Sequence, residues 1–283
     1  MTIIQKPSLK EPTDDEKEAI IQMRDAFQSE VTENPDLYYK KDVERVLTND
    51  WEVHRYLLAA DGNISAGLTR LTNSMKWRKQ WSVWDMCEQD FPREFYQMLR
   101  FGRADNGSVL VISRAQFYIP IDEWRELFKK FYIFVLESLD RQNTGDGVTI
   151  LFDLRDCGIC NVDLDFIWFL KPIQSKYYPM LLKLQLNCDI PWVLNSISQL
   201  ILSLMPEKTR KIMLFVKREE LQQYIRPEYI PVYLGGTGSD NTSWKPDNCL
   251  TAEEMVTQRP EITDKSLAKL LKHINPLIKL CDP

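Results

Sequence analysis

The sequence predicts an α/β protein: an N-terminal helical cap followed by a mostly parallel sheet with helices packed on it. Three observations predict it. Apolar residues fall at helical spacing through residues 14–90. Beyond about residue 100, short apolar runs of strand length alternate with helical patterns. The 283 residues, 44% hydrophobic and 27% charged, suffice for a substantial core without staples.

In chain order, a helix is expected over residues 16–31, where Ile20, Ile21, Met23, Ala26 and Phe27 recur at helical spacing. Two more are expected over 43–60 and 65–80, punctuated by Gly62 and Asn63. Three short helices do not easily close a core, and their apolar stripes (Leu57, Leu68, Leu71, Met75) need a surface to cover. Residues 14–90 therefore read as a cap on a larger domain. That domain, residues 91–239, has strands at 109–112, 148–154, 184–188 and 211–216, with helices at 121–140, 163–176 and 192–204 between them. Strand, helix, strand repeated three times argues parallel pairing in a layered fold. The tail, 240–283, carries one amphipathic pattern at 264–279, interrupted by Pro276.

Composition excludes several function classes. Lys+Arg 36 against Asp+Glu 41 leaves a net charge of −5, so no global positive field recruits nucleic acid. The six cysteines are scattered, residues 1–33 lack the apolar core of a signal peptide, and no run of about 18 apolar residues occurs. The expectation is a cytoplasmic chain with reduced thiols.

A search for enzyme motifs returns little. There is no glycine-rich dinucleotide or phosphate loop, no nucleophile elbow and no zinc-protease helix. The only histidines, His54 and His273, sit in the cap and the tail, where a triad or a histidine-rich metal site lacks its partners. Asp153, Asp163 and Asp165 cluster near the C-terminal edge of a strand, where open α/β sheets place ligands. They read either as a minimal Mg²⁺ site for phosphoryl or glycosyl chemistry or, as the chain mechanics favour, as a helix cap at Asp163 and a strand terminus at Asp153. Cys157-Gly-Ile-Cys160 has a redox spacing but no second pair, and reads as two small residues in a turn. No catalytic residue, metal or cofactor is assigned.

The informative segment is 191–205, which contains no charged residue. At 100° per residue, Val193, Leu194, Ile197, Ile201 and Leu204 share one face, and Trp192, Leu200 and Leu202 lie off it. A surface helix ordinarily carries charge on its outer face. Two readings follow: a helix buried on all sides, or a lid over an apolar cavity. Phe131, Tyr132 and Phe134 in one preceding helix, and Phe166, Trp168 and Phe169 in the next, offer more aromatic bulk than a sheet face requires. That bulk suits the lining of a pocket.

Several short pieces, in this order and spacing, carry a resemblance: Trp77-Arg78-Lys79, residues 148–154 with Gly158 and Ile159, Tyr178-Pro179, Asp189-Ile190-Pro191-Trp192, and 221–229 followed by Ile230-Pro231 and Gly235-Gly236. Over about residues 42–236 the sequence resembles the CRAL-TRIO family of lipid-transfer proteins. Asp42-Val43-Glu44-Arg45, Asp163-Leu164-Asp165-Phe166 and Tyr177 are most similar to the family's lipid domains that accompany a motile-sperm domain. The resemblance implies a non-catalytic protein that holds a hydrophobic lipid, by expectation a phospholipid, in an apolar cavity and exchanges it at a transient membrane surface. Its implied lipid contacts are Phe152, Phe166, Phe169 and Met180, with Trp192, Leu194, Ile197 and Ile201. Its implied gate comprises Trp192, Val193, Leu200, Leu202 and Leu204, and a lysine opening the last strand, Lys211, would meet a headgroup phosphate, with Arg114 and Lys183 as lesser candidates. Phosphoinositide-binding members also use a cap arginine and a glutamate after Tyr-Pro; those positions hold Ala60 and Met180, so the inositol site is mostly missing. The implied location is peripheral at organelle membranes, the endoplasmic reticulum if the chain is part of a longer anchored protein. The rival expectations are the Mg²⁺-dependent enzyme built on the three aspartates and a scaffold with a filled core.

Overall fold

The computed structural model describes residues 11–142, 146–239, 246 and 248–281; part of the expected tail, 240–245, 247 and 282–283, lies outside the described residues. The chain opens with α1 (Asp14–Glu33), started by a reciprocal cap in which Thr13 Oγ1 accepts the Glu16 N–H and Glu16 Oε2 accepts the Thr13 N–H. Next come α2 (Lys40–Thr48), α3 (Asp50–Ala59) and α4 (Ile64–Gln80). The single helix expected over 43–60 is broken at Asn49, whose side chain accepts from the Trp51 N–H and starts α3 afresh. Ile20, Met23, Phe27, Val53, Leu57 and Leu71 meet in a cluster of their own. The cap thus closes a core by itself, because the extra break lets α2 and α3 both turn an apolar side inward.

After α5 (Arg93–Gln97) the sheet begins: β1 (Leu99–Arg103), β2 (Val109–Arg114), α6 (Asp122–Arg141), β3 (Val148–Asp153), α7 (Leu164–Pro172), β4 (Leu182–Cys188), α8 (Asn195–Ser203), α9 (Glu207–Lys211) and β5 (Met213–Val216). Spatial order follows chain order, β1 to β5, with β1 antiparallel to β2 and every other pair parallel. This is the mixed α/β architecture expected, with one strand more. β1 reads Leu-Arg-Phe-Gly-Arg, and two arginines and a glycine in five residues hide its strand character.

Residues alternate between the two faces along each strand. On one face Leu110, Ile112, Leu151, Leu186 and Val216 cluster with Leu221, Ile225, Ile230 and Leu234, which come from the run of short turns after β5. That cover is locked at Gly236, where an added Cβ would stand 2.0 Å from the Ile230 carbonyl oxygen. The other face floors the cavity described below. Two last helices, α10 (Ala252–Val256) and α11 (Asp264–Cys281), close the fold; α11 continues through Pro276. Ala252, Met255, Leu270, Ile274 and Leu277 join the same core cluster as α6, so the described part of the tail is built into the domain.

Cap and sheet domain meet across buried charge. Arg78 donates from Nη1 and Nη2 to the two Glu137 carboxylate oxygens (2.5 and 2.7 Å) and from Nε to Asp42 (2.9 Å). Arg55 bonds Asp140 at 2.6 Å, and Arg45 reaches Glu52 at 2.5 Å and Asp140 at 3.2 Å. Tyr178 OH and Arg141 add donors to Glu137. Burial alone would raise the Glu137 carboxyl, but Arg78, Arg141 and Arg45 outweigh it and hold it at about 2. Beside this network Trp77 stacks on Tyr177 with ring centroids 4.3 Å apart, so Trp77-Arg78 is the seam between the two layers.

Candidate functional site

Between the second sheet face and the helices lies a cavity of about 290 Å³. β2 and β3 supply Val111, Ser113, Ile150 and Phe152 to its floor, and β4 and β5 supply Gln185, Asn187, Met213 and Phe215. One wall is α6 through Phe128, Phe131, Tyr132, Val135 and Leu136. A second is α7 through Phe166, Ile167, Leu170, Lys171 and Gln174. The third is the chargeless segment, through Leu194, Ile197, Ser198, Ile201, Leu202 and Met205. The volume lies at the low end of the range for small-molecule sites, and the lining is mainly apolar.

The chargeless segment is not a core helix: it covers one side of the cavity, and no residue of α8 is buried. Its phase differs from the expected one. Residues 192–194 form a 3₁₀ turn before the α-helix starts, and the inward stripe runs 194, 197, 198, 201, 202, 205. Leu202 therefore lines the cavity instead of pointing out, while Val193 and Leu204 are exposed with Trp192 and Leu200. Trp192, expected as a lipid contact, is 84% exposed.

Of the other expected contacts, Phe152, Phe166, Leu194, Ile197 and Ile201 are in the wall, and three are not. Phe169 stands three residues after Phe166 on the flank of α7 and leans on Trp81, centroids 5.4 Å apart. Met180 is exposed in a left-handed turn (φ 63°) before β4. Lys211 is at the surface, paired with Glu207 at 2.8 Å, because the chain completes α9 before entering β5. Arg114 points to the far face, over the Tyr233 and Phe117 rings, and Lys183 is half-buried and outside the cavity's lining, with burial lowering the pKa of its ammonium.

The three aspartates are not brought together. Asp153 accepts two bonds from the Arg155 guanidinium and one from its backbone N–H on the far face. Asp163 caps α7, Oδ1 accepting the Phe166 N–H at 3.0 Å and Oδ2 the Tyr118 hydroxyl at 2.7 Å. Burial pushes the Asp163 carboxyl up, but Tyr118, the Phe166 N–H and Arg125 together hold it below the ordinary range. Asp165 is exposed, near Arg125. No group of three or more metal-binding side chains exists among the described residues. Cys157 lines the cavity with its thiol pushed up to about 12 by burial, whereas Cys160 is exposed.

Gln185 and Asn187 were not expected in the floor. Leu184-Gln185-Leu186-Asn187-Cys188 alternates, whereas a central strand packed on both faces of an α/β sheet is ordinarily apolar throughout. That alternation is the signal that a cavity covers one side.

A five-stranded sheet covered by short turns on one face and by a hollow three-helix layer on the other defines an α/β domain built around a partly open apolar cavity. The family model for the CRAL/TRIO domain matches residues 96–236, so this chain carries a CRAL/TRIO domain. It is 25% identical over 196 residues to the CRAL-TRIO domain-containing protein C3H8.02 of Schizosaccharomyces pombe, covering 64% of this chain and 44% of the relative. It is 24% identical over 204 residues to the phosphatidylinositol transfer protein CSR1 of Eremothecium gossypii, covering 66% and 47%. The aligned stretches thus span less than half the length of these relatives. Among solved structures, the fold is similar to the crystal structure of Sfh5, with a TM-score of 0.63 at 19% identity over 95% of this chain and 100% of that one. No helix of the described residues is long and apolar enough to cross a membrane.

Proposed function

We propose that this chain binds a hydrophobic lipid in the cavity and carries it between membranes, without catalysing a reaction, and that α8 is the gate. The observation that carries the reading is the lid: a helix without charge, apolar toward the cavity and apolar again toward solvent at Trp192, Val193, Leu200 and Leu204. Exposed apolar residues on the cover of an apolar cavity suit contact with a lipid surface, into which the lid can partition as it opens. The phosphatidylinositol transfer relative supports a phospholipid as the cargo class. Since Lys211, Arg114 and Lys183 stay out of the cavity, a phosphate would be held at its mouth rather than inside. Residue likeness at 42–45, 163–166 and 177 supports the finer kinship with lipid domains that accompany a motile-sperm domain, and with it work at an organelle membrane. Mass spectrometry of an organic extract of the purified protein, with vesicle-to-vesicle transfer of the lipid it contains, tests this. A stoichiometric, transferable lipid is expected; an empty extract together with no transfer leaves a scaffold with a filled core.

A further inference from the structure

The floor of the cavity is a grid. Strand register sets Val111, Ile150, Gln185 and Met213 in one row and Ser113, Phe152, Asn187 and Phe215 in the next. Both β4 positions are amides, only 8% and 6% exposed, between apolar neighbours. Gln185 Nε2 donates to Asn187 Oδ1 at 3.1 Å, and Asn187 Nδ2 donates to the Leu214 carbonyl at 3.2 Å. Among the described residues this leaves the Gln185 carbonyl oxygen without a donor and one N–H on each amide without an acceptor. The Gln185 oxygen is not among the fully buried unpartnered atoms; it lies in the cavity lining and faces space a ligand can enter, where leucine or methionine would need no polar partner. Of the charged groups in the wall, Asp163 is held by Tyr118 and the α7 backbone, and Lys171 Nζ gives one of its three N–H groups to the Leu204 carbonyl; the two floor amides are themselves uncharged.

We infer that Gln185 and Asn187 form a subsite for one uncharged oxygen set within the ligand's hydrocarbon, an ester carbonyl or a hydroxyl; this rests on the cavity being a lipid site. An ester carbonyl takes the spare N–H groups, and a hydroxyl can in addition donate to the Gln185 oxygen. The buried part of the cargo is then selected by oxygen placement.

The test uses two probe pairs, with uptake read by native mass spectrometry. Vesicles of dioleoyl phosphatidylcholine are compared with vesicles of its diether analogue, which lacks the ester carbonyls, and 1-hexadecanol is compared with hexadecane. About a tenfold preference for the oxygen-bearing member of at least one pair is expected, in keeping with one buried hydrogen bond. The pair that discriminates identifies the source of the oxygen. Gln185→Met, close in volume, should erase the preference while uptake of the oxygen-free probe persists; Asn187→Leu provides an independent second variant. Equal uptake within both pairs overturns the inference, as does a preference that survives in both variants. If none of the four probes enters, the lipid-site reading fails and this inference with it.

Discussion

Helix α6 faces two very different neighbours. Toward the cap it presents Glu137 and Asp140, bonded by Arg78, Arg55 and Arg45 at 2.5–3.2 Å. Toward the cavity it presents Phe128, Phe131, Tyr132 and Val135 and meets open space. Charge-assisted bonds have a single good geometry and are lost by small displacements, whereas apolar contacts are non-directional and let surfaces slide. The comparison teaches where motion would be permitted: the cap is pinned to α6, whereas the cover opposite rests mainly on apolar contacts that, on the proposed gating, it would exchange for lipid.

The strongest way to break this comparison is to unpin the cap. Glu137→Ala leaves Arg78 and Arg141 with an absent partner in a buried site and should cost about 3–5 kcal/mol in thermal unfolding. The same group gives a pH signature. Its folded carboxyl is held at about 2 against an ordinary 4.5, so its contribution is complete above pH 4.5 and is lost as pH falls from there toward 2. The melting temperature should decline over that window, and Glu137→Gln should flatten the decline.

Charges placed on the lid sharpen the other side. Leu202→Glu puts a carboxylate into the cavity wall and should destabilise the fold by about 2 kcal/mol or more. Leu200→Glu, at a position 56% exposed, should change stability by no more than about 0.5 kcal/mol while strongly reducing vesicle binding and transfer. Equal effects of the two on melting would contradict the inward stripe. Asp163→Ala, which removes the α7 cap and the Tyr118 bond, should cost about 0.5–2 kcal/mol in denaturant titrations. Lys211→Ala should be smallest of all, within about 0.5 kcal/mol for an exposed pair and with lipid loading unchanged.

Much of this architecture is legible in the sequence because strand and helix periods differ. All four parallel-paired strands and the helices between them follow from that rhythm. β1 does not, since Arg100 and Arg103 replace the apolar run, and its pairing depends on long-range contact with β2. The break at Asn49 is a capping event within a continuous helical pattern, visible only as one residue of the right type. The lid was recognisable from its missing charge, but its phase was not: with apolar residues on both sides, a wheel has no polar reference, and the 3₁₀ turn at 192–194 shifts the origin. Trp77-Arg78 was quotable as a motif, yet its partners Glu137 and Tyr177 are 59 and 100 residues away in the chain. The strand length of 184–188 signals β4 without marking its polar face; only the alternation at Gln185 and Asn187 does that.

β5 is a sheet edge of only four residues, bracketed by exposed Lys211 and by Lys217 and Arg218. If α8 opens as proposed, apolar floor would be bared next to this edge, the two ingredients of strand-to-strand aggregation. Shortness and flanking lysines are the usual defences of such an edge, since a second copy would align like charges against them. Lys211 then matters for keeping opened molecules apart, and its loss should show as clouding at high protein concentration rather than as a change in cargo.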